Sequence, residues 1–203
     1  MLRTYFTDSL VKLVLYSCIL FSPLSYADKS ENLKLSFKHI NKPQLDSLGE
    51  VWDIAQDQQG FMWFAGSAGL ARYDGYSIKV YQHETNNIKS LSSNNILDIL
   101  ITRIGQFWIA TNGGGLNIYN PLTDSFIHYQ HNPKNSNSLS NNNVTSLAES
   151  HDGNIWLATD GGGLNLFDPK NETFVHFNTQ EHDGKYLSSE NLQYVFEDHQ
   201  GIV

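Results

Sequence analysis

The sequence predicts an all-β fold: a β-propeller of four-stranded antiparallel blades. Three observations carry that prediction. Residues 153–168 (GNIWLATDGGGLNLFD) recur at 105–120 (GQFWIATNGGGLNIYN) and, one residue shorter, at 60–74 (GFMWFAGSAGLARYD). The tryptophans of the three copies, Trp63, Trp108 and Trp156, stand 45 and 48 residues apart, a spacing that marks a repeat architecture. Each copy also sits among four short β-prone runs, and four strands in about 45 residues make one propeller blade.

Residues 1–27 stand apart from the repeats. Arg3 and Lys12 give a weakly basic start, and residues 13–21 (LVLYSCILF) are apolar but too short to span a bilayer. Ser25 and Ala27 then put small residues where a cleavage site before Asp28 needs them, the pattern of a secretory signal peptide. Cys18, the sole cysteine, falls inside this segment, so the mature chain has no thiol for a disulfide, a metal site or a nucleophile. Cleavage would remove Arg3, Lys12 and Asp8, taking the formal net charge from −8 to −9. That acidic balance speaks against nucleic acid and anionic membrane surfaces as partners.

Residues 28–50 form a lead-in, in which 33–37 (LKLSF) alternate as a strand would and are placed to complete a distant blade of a ring. Residues 51–91 make the first blade, with strands at 51–56, 62–65, 70–73 and 77–82. The dipeptides Leu91-Ser92, Leu139-Ser140 and Leu187-Ser188 recur between blades, so the next two blades are 92–139 and 140–187. In the third blade VTSLAE, IWLAT, LNLF and TFVHF are the strands, and Asp160 with three glycines turns the chain between the second and third, because glycine takes positive φ without steric cost. Residues 188–203 begin a fourth blade, with a strand at 192–197 and a turn at 198–201, after which the pattern calls for tryptophan one position past Val203. Three blades and part of a fourth cannot close a ring that takes about four to eight. The sequence is therefore expected to be the N-terminal fragment of a longer protein.

The repeated unit is a Leu-Ser join, paired asparagines, a Val-centred strand, a Gly-led turn, Ile-Trp, Thr, Gly-Gly-Leu-Asn and an aromatic followed by Asp or Asn. It resembles the two-component regulator propeller repeat. The third blade carries it best, in Leu139-Ser140, Asn142-Asn143, Val144, Gly153, Ile155-Trp156, Thr159, Gly162-Gly163-Leu164-Asn165 and Phe167-Asp168. The first blade departs at Ala71, where asparagine is expected, and the second has Thr102-Arg103-Ile104-Gly105 in place of an Asp-led turn; both departures are expected to touch turns. The resemblance runs from Gly49 to the end. It implies the periplasmic sensor propeller of a membrane protein whose output, a histidine kinase or a diguanylate cyclase, lies outside this sequence. It also implies a small ligand such as a glycan fragment, a homodimer of the full-length parent, and membrane attachment through a downstream segment.

The chemistry-bearing residues read as structural. The Gly-rich runs lack G-x-G-x-x-G spacing and lead into a strand, so no helix N-terminus would face a phosphate. The tryptophans recur at one place in an apolar strand and are expected between blades. His128 and His176 occupy one strand position, while His39, His83, His131, His151, His182 and His199 fall in turns and joins, without metal-ligand spacing. The acid pairs Glu149 with Asp152 and Glu181 with Asp183 are expected in turns, and no facing carboxylates for glycoside cleavage are apparent. Asn94-Asn95 and Asn141-Asn142-Asn143 are turn-formers. No catalytic, cofactor-binding or metal-binding residue is assigned, no cofactor is implied, and the fragment is read as no enzyme. Ligand residues are expected on the loops of the ring faces, such as the Leu-Ser joins and the Gly-rich turns. Two alternatives remain open at this level: part of an extracytoplasmic propeller enzyme (a polysaccharide lyase or quinone-dependent dehydrogenase), or a protein-interaction scaffold.

Overall fold

The computed structural model describes residues 40, 43–180 and 186–203. The signal-peptide and lead-in-strand expectations lie outside the described residues, as do Cys18, His39, Glu181, His182 and Asp183. Within 28–50 the described part holds one helical turn, α1 (Pro43–Asp46). Pro43 suits its first position, where a missing N–H leaves no bond unmade, and Ser47 Oγ closes the turn by donating to the Gln44 carbonyl at 2.7 Å.

Twelve strands follow: β1 (Val51–Gln56), β2 (Met62–Gly66), β3 (Gly69–Tyr73), β4 (Ile78–Tyr81), β5 (Ile96–Ile101), β6 (Phe107–Thr111), β7 (Gly115–Asn120), β8 (Ser125–Tyr129), β9 (Val144–Glu149), β10 (Ile155–Thr159), β11 (Gly163–Asp168) and β12 (Thr173–Phe177). They form three four-stranded sheets, each pairing its strands in chain order and wholly antiparallel. These sheets are propeller blades. The first strands β1, β5 and β9 adjoin one another across the blades and are therefore innermost. Each first strand carries the same irregularity: the register shifts between Val51 and Asp53, between Ile96 and Asp98, and between Ala158 and Thr159 opposite Val144 and Ser146. A bulge there re-aims the side chain that follows it.

The tryptophans are where one blade meets the next. Trp63 of β2 packs with Ile96, Ile99, Phe107 and Tyr119 of the second blade. Trp108 of β6 packs with Val144, Leu147, Ile155 and Phe167 of the third. Their exposures are 1% and 0%, so each indole is removed from water by the following blade, worth roughly 2–3 kcal/mol for a side chain of that size. Trp156 is half-buried and packs against Leu187, Leu192 and Val195. The indole N–H groups find different partners. Trp63 donates to Asp57 Oδ2 at 2.8 Å and Trp156 to Glu197 Oε2 at 2.5 Å, whereas the buried Trp108 Nε1 has no partner among the described residues.

A buried asparagine explains the recurring Gly-Gly-Leu-Asn. Asn117 accepts from Ser92 N at 2.9 Å and donates to Ser92 Oγ at 2.7 Å; Asn165 does the same to Ser140 at 3.0 and 2.7 Å. Each asparagine pins the Leu-Ser join to its own blade. Ala71 therefore does not touch a turn: it lies inside β3 and is fully buried. Gly49 stands where Ser92 and Ser140 stand in the other blades, so both halves of the bond are missing together. Gly49 has φ 69°, a conformation a serine would adopt only under strain.

Residues 192–197 do not form a strand in the described structure; Asn191, just before them, bridges Asp160, and Leu192 N donates to the Thr159 carbonyl at 3.0 Å. An innermost strand takes its ladder from the hairpin partner beyond its turn. No strand follows Gly201 among the described residues.

Candidate functional site

Two strips of the blades gather polar groups, and the loops expected to hold a ligand form the first. The Gly-rich turns join β2 to β3, β6 to β7 and β10 to β11, and they sit on the joins to the next blade. Gly113 N and Gly115 N donate to the Asn142 carbonyl at 3.1 and 2.9 Å, and Gly161 N and Gly163 N to the Glu190 carbonyl at 3.0 and 2.9 Å. The turns are hairpin turns, as the glycines predict. Gly115 has φ 78°, and a Cβ there would fall 2.4 Å from the Tyr129 carbonyl, so only glycine fits. Joins and turns thus share one face. Most of its amides and hydroxyls are consumed locally: His83 N and His131 N donate to Asn94 and Asn142 Oδ1, and Ser93 Oγ donates to the Asn112 carbonyl. The exposed tips are Asn112-Gly113 and Asp160-Gly161. Such a surface offers hydrogen bonds in both senses.

Four histidines serve the joins, while His151 pairs with Glu197 and Asp152. His128 Nε2 lies 2.7 Å from the Ser90 carbonyl and His176 Nε2 2.8 Å from the Ser138 carbonyl. His83 and His131 repeat in the same way, with Nδ1 against the Leu91 and Leu139 carbonyls at 2.7 and 2.8 Å. That second equivalence was legible in Gln82-His83 and Gln130-His131 but was not drawn from the sequence. Among the described residues no group of three or more His, Cys, Asp or Glu stands where it could hold a metal ion. Glu149 does not sit in a turn: it ends β9, where it accepts from Arg103 N at 2.8 Å and pairs with Arg103 Nε at 3.1 Å. Glu197 repeats that contact by accepting from His151 N at 2.9 Å.

The second strip lines the innermost strands and was missed. Asp53 Oδ2 accepts from Ile99 N at 3.1 Å and Asp98 Oδ2 from Leu147 N at 2.7 Å. Each aspartate thus caps the backbone of the following blade, directly after the bulge. Asp98 lies between the Asp53 carboxyl and the Ser146 hydroxyl. Burial first, and then the neighbouring Asp53, push the Asp98 carboxyl up to about 6, against the lowering effect of Leu147 N. The signal was present in VWDI and ILDI, where a carboxylate interrupts an apolar strand, since charged residues are seldom buried unpaired.

Comparison with known proteins places these features. Residues 46–68, 90–113 and 138–161 match the family described as Two component regulator propeller; each match spans a join, the first strand, its turn, the tryptophan strand and the start of the following turn. Three segments of the chain, one in each blade, are thus similar to the repeat of that family. Histidine kinase P4 of Formosa agariphila is 34% identical over 77 residues, which is 38% of this chain and 6% of that protein. The extracellular domain of a putative hybrid two component system from B. thetaiotaomicron superposes with a TM-score of 0.67 at 30% identity, over 76% of this chain and 21% of that one. A second extracellular domain from that organism, of a putative one component system, gives 0.62 at 25% identity over 82% of this chain and 24% of that one. The chain thus spans about a quarter or less of each relative.

Proposed function

We propose that this chain is part of the extracytoplasmic, ligand-sensing propeller of a membrane signalling protein. The observation that carries the reading is the shared blade stack: the fold aligns over 76% of the chain with the extracellular domain of a putative hybrid two component system at 30% identity. Residues 1–27 would direct it to the periplasm. The ligand would meet the face of the joins and Gly-rich turns, where the exposed Asn112 and Asp160 offer amide and carboxylate groups suited to a polyhydroxylated solute such as a glycan fragment. Sensing then needs no chemistry. A ligand that binds one arrangement of a dimeric parent more tightly shifts the population toward it, and the coupling reaches the output through the membrane segment.

Two measurements test this. Alkaline phosphatase fused after Val203 in a Gram-negative host is active if the chain is exported; activity equal to a leaderless control would overturn the extracytoplasmic assignment. A thermal-shift panel of oligosaccharides on the purified chain should contain a solute that raises the unfolding midpoint of the wild type and not of Asn112→Ala/Asp160→Ala. Equal shifts in both would remove the ligand from this face.

A further inference from the structure

The repeats supply an internal control, because equivalent positions at the two blade junctions should carry equivalent residues. On the scaffold they do. Tyr81 OH donates to Asp124 Oδ1 at 2.8 Å across the first junction, and Tyr129 OH donates to Glu172 Oε1 at 3.1 Å across the second. Asp124 and Glu172 share a left-handed backbone, each with φ 53°.

Around this common latch the first junction departs. Ile118, Ile127 and Asn137 of the second junction are replaced by Arg72, Lys79 and Lys89, and Asn132 by Glu84. The consequence is geometric. At the second junction the Asn137 side chain fills the outer groove, donating to the Glu172 carbonyl at 3.3 Å and accepting from Phe174 N at 2.8 Å. At the first, Phe126 N goes to the Lys89 backbone carbonyl at 2.9 Å, and Lys89 lines the opening. A cavity of about 310 Å³ remains, lined by Lys79, Tyr81, Glu84, Lys89, Thr123 and Asp124 among others. That is the lower end of the size range of small-molecule sites.

Its floor is fixed. Asp124 accepts from Tyr81, from Tyr119 OH at 2.7 Å and from Lys79, and Arg72 Nη1 donates to Tyr119 OH at 3.1 Å behind it. Lys79 is thereby held in place and its partner is neutralised. Glu84 accepts from Asn87 Nδ2 at 2.7 Å. Lys89 has no carboxylate partner among the described residues.

We propose that this rim cavity between the first two blades is a binding site for a small hydroxylated oxyanion, its charged end held by Lys89 beside Lys79 and its hydroxyls by Thr123 and Glu84. The site lies at the outer strands of the first two blades and reaches the connection before the first join at Gln82 and Ser90, but it uses neither Asn112 nor Asp160 and stands whether or not those tips meet a ligand. Either a carboxylate or a phosphate satisfies the chemistry.

The test is a titration of the ¹⁵N-labelled chain with sodium gluconate and, separately, with inorganic phosphate. Saturable amide shifts at Lys79, Asn87, Lys89 and Thr123 are expected with at least one of them, gluconate alone indicating a carboxylate site and phosphate alone a phosphate site. Lys89→Asn and Lys79→Ile, which install the residues of the second junction, should each weaken binding about tenfold or more, a loss of roughly 1.4 kcal/mol. Lys134→Asn, on a loop of the second blade, should not. Absence of saturable shifts at the rim with both anions overturns the proposal. So does unchanged affinity in both variants, whose spectra away from the rim report that they are folded.

Discussion

At the scale of single residues, the Asp53–Asp98 pair decides how the innermost strands respond to pH. The Asp98 carboxyl is raised in the folded protein from 3.8 to about 6, so the folded state holds its proton more tightly than the unfolded chain. Its contribution to stability is full below the unfolded value and is lost as pH rises through 6. An asparagine at this position would imitate the protonated acid, with its oxygen still accepting from Leu147 N and its NH₂ facing Asp53. Asp98→Asn should therefore stabilise the chain at pH 8 by about 2–3 kcal/mol and leave it little changed at pH 4. Urea midpoints at the two pH values check this, and a variant less stable than wild type at pH 8 would refute the raised Asp98 carboxyl. A second residue-scale prediction concerns the asparagine pin. Asn117→Ala strands the Ser92 N–H and should cost about 1–3 kcal/mol, whereas Ser92→Ala with Asn117→Ala should fall short of the sum of the singles by about 0.5–1 kcal/mol or more. Strict additivity in that double-mutant cycle would mean that the two side chains do not act as one unit.

At the scale of elements, the three tryptophan strands are chemically alike yet unequally satisfied. Asp57 both caps its turn, accepting from Gln59 N and Phe61 N at 3.0 and 2.9 Å, and receives the Trp63 indole. Thr102 takes the equivalent place below Trp108 and bonds Gln106 instead, accepting from its N–H at 3.0 Å. Its side chain is too short to reach the indole as well. Thr102→Asp should give Trp108 Nε1 an acceptor and raise the unfolding free energy by about 1 kcal/mol, read from denaturant midpoints; a loss would show that Thr102 is retained for its own turn. Trp108→Ala, by contrast, empties a fully buried site and should cost about 3–5 kcal/mol. Trp156→Ala should cost less, because Trp156 is half-buried. Equal losses in the two variants would contradict the difference in their packing. The strand assignments themselves were legible, since alternation and turn glycines are local signals. The bulge on each first strand was not, because a bulge appears only when two strands are laid in register.

At the scale of the whole molecule, the first blade exposes an apolar face. Val51 and Ile54 of β1 are 40% and 52% exposed, while their equivalents Ile96, Ile99, Val144 and Leu147 are between 0% and 7%. Trp52 adds an indole that is 54% exposed. With no preceding blade against it among the described residues, Ile54 N turns to its own Asp53 Oδ1 at 2.7 Å, in place of the cross-blade bond that Ile99 N and Leu147 N make. Isolated apolar faces of this kind drive association. The chain should self-associate at micromolar concentration in analytical ultracentrifugation, and Ile54→Lys should shift it toward monomer. A wild-type chain that stays monomeric at high concentration would show that the face is covered by another part of the chain.

The amino-acid sequence by itself determined the architecture. A period near 45 residues, Trp and Gly at fixed offsets and four β-prone runs per unit are local and repeated, so three copies corroborate one another. The sequence also singled out the joins and Gly-rich turns, which the fold brings together on one side. What the tertiary structure alone decided lies between blades: the aspartates that cap the next blade, the unpaired Trp108 indole and the charged cavity at one junction. The aspartate caps and the cavity depend on residues 43 to 49 positions apart that meet because one blade stacks on the next. A carboxylate in an apolar strand announces that a partner exists; its identity is fixed by the register of the neighbouring sheet.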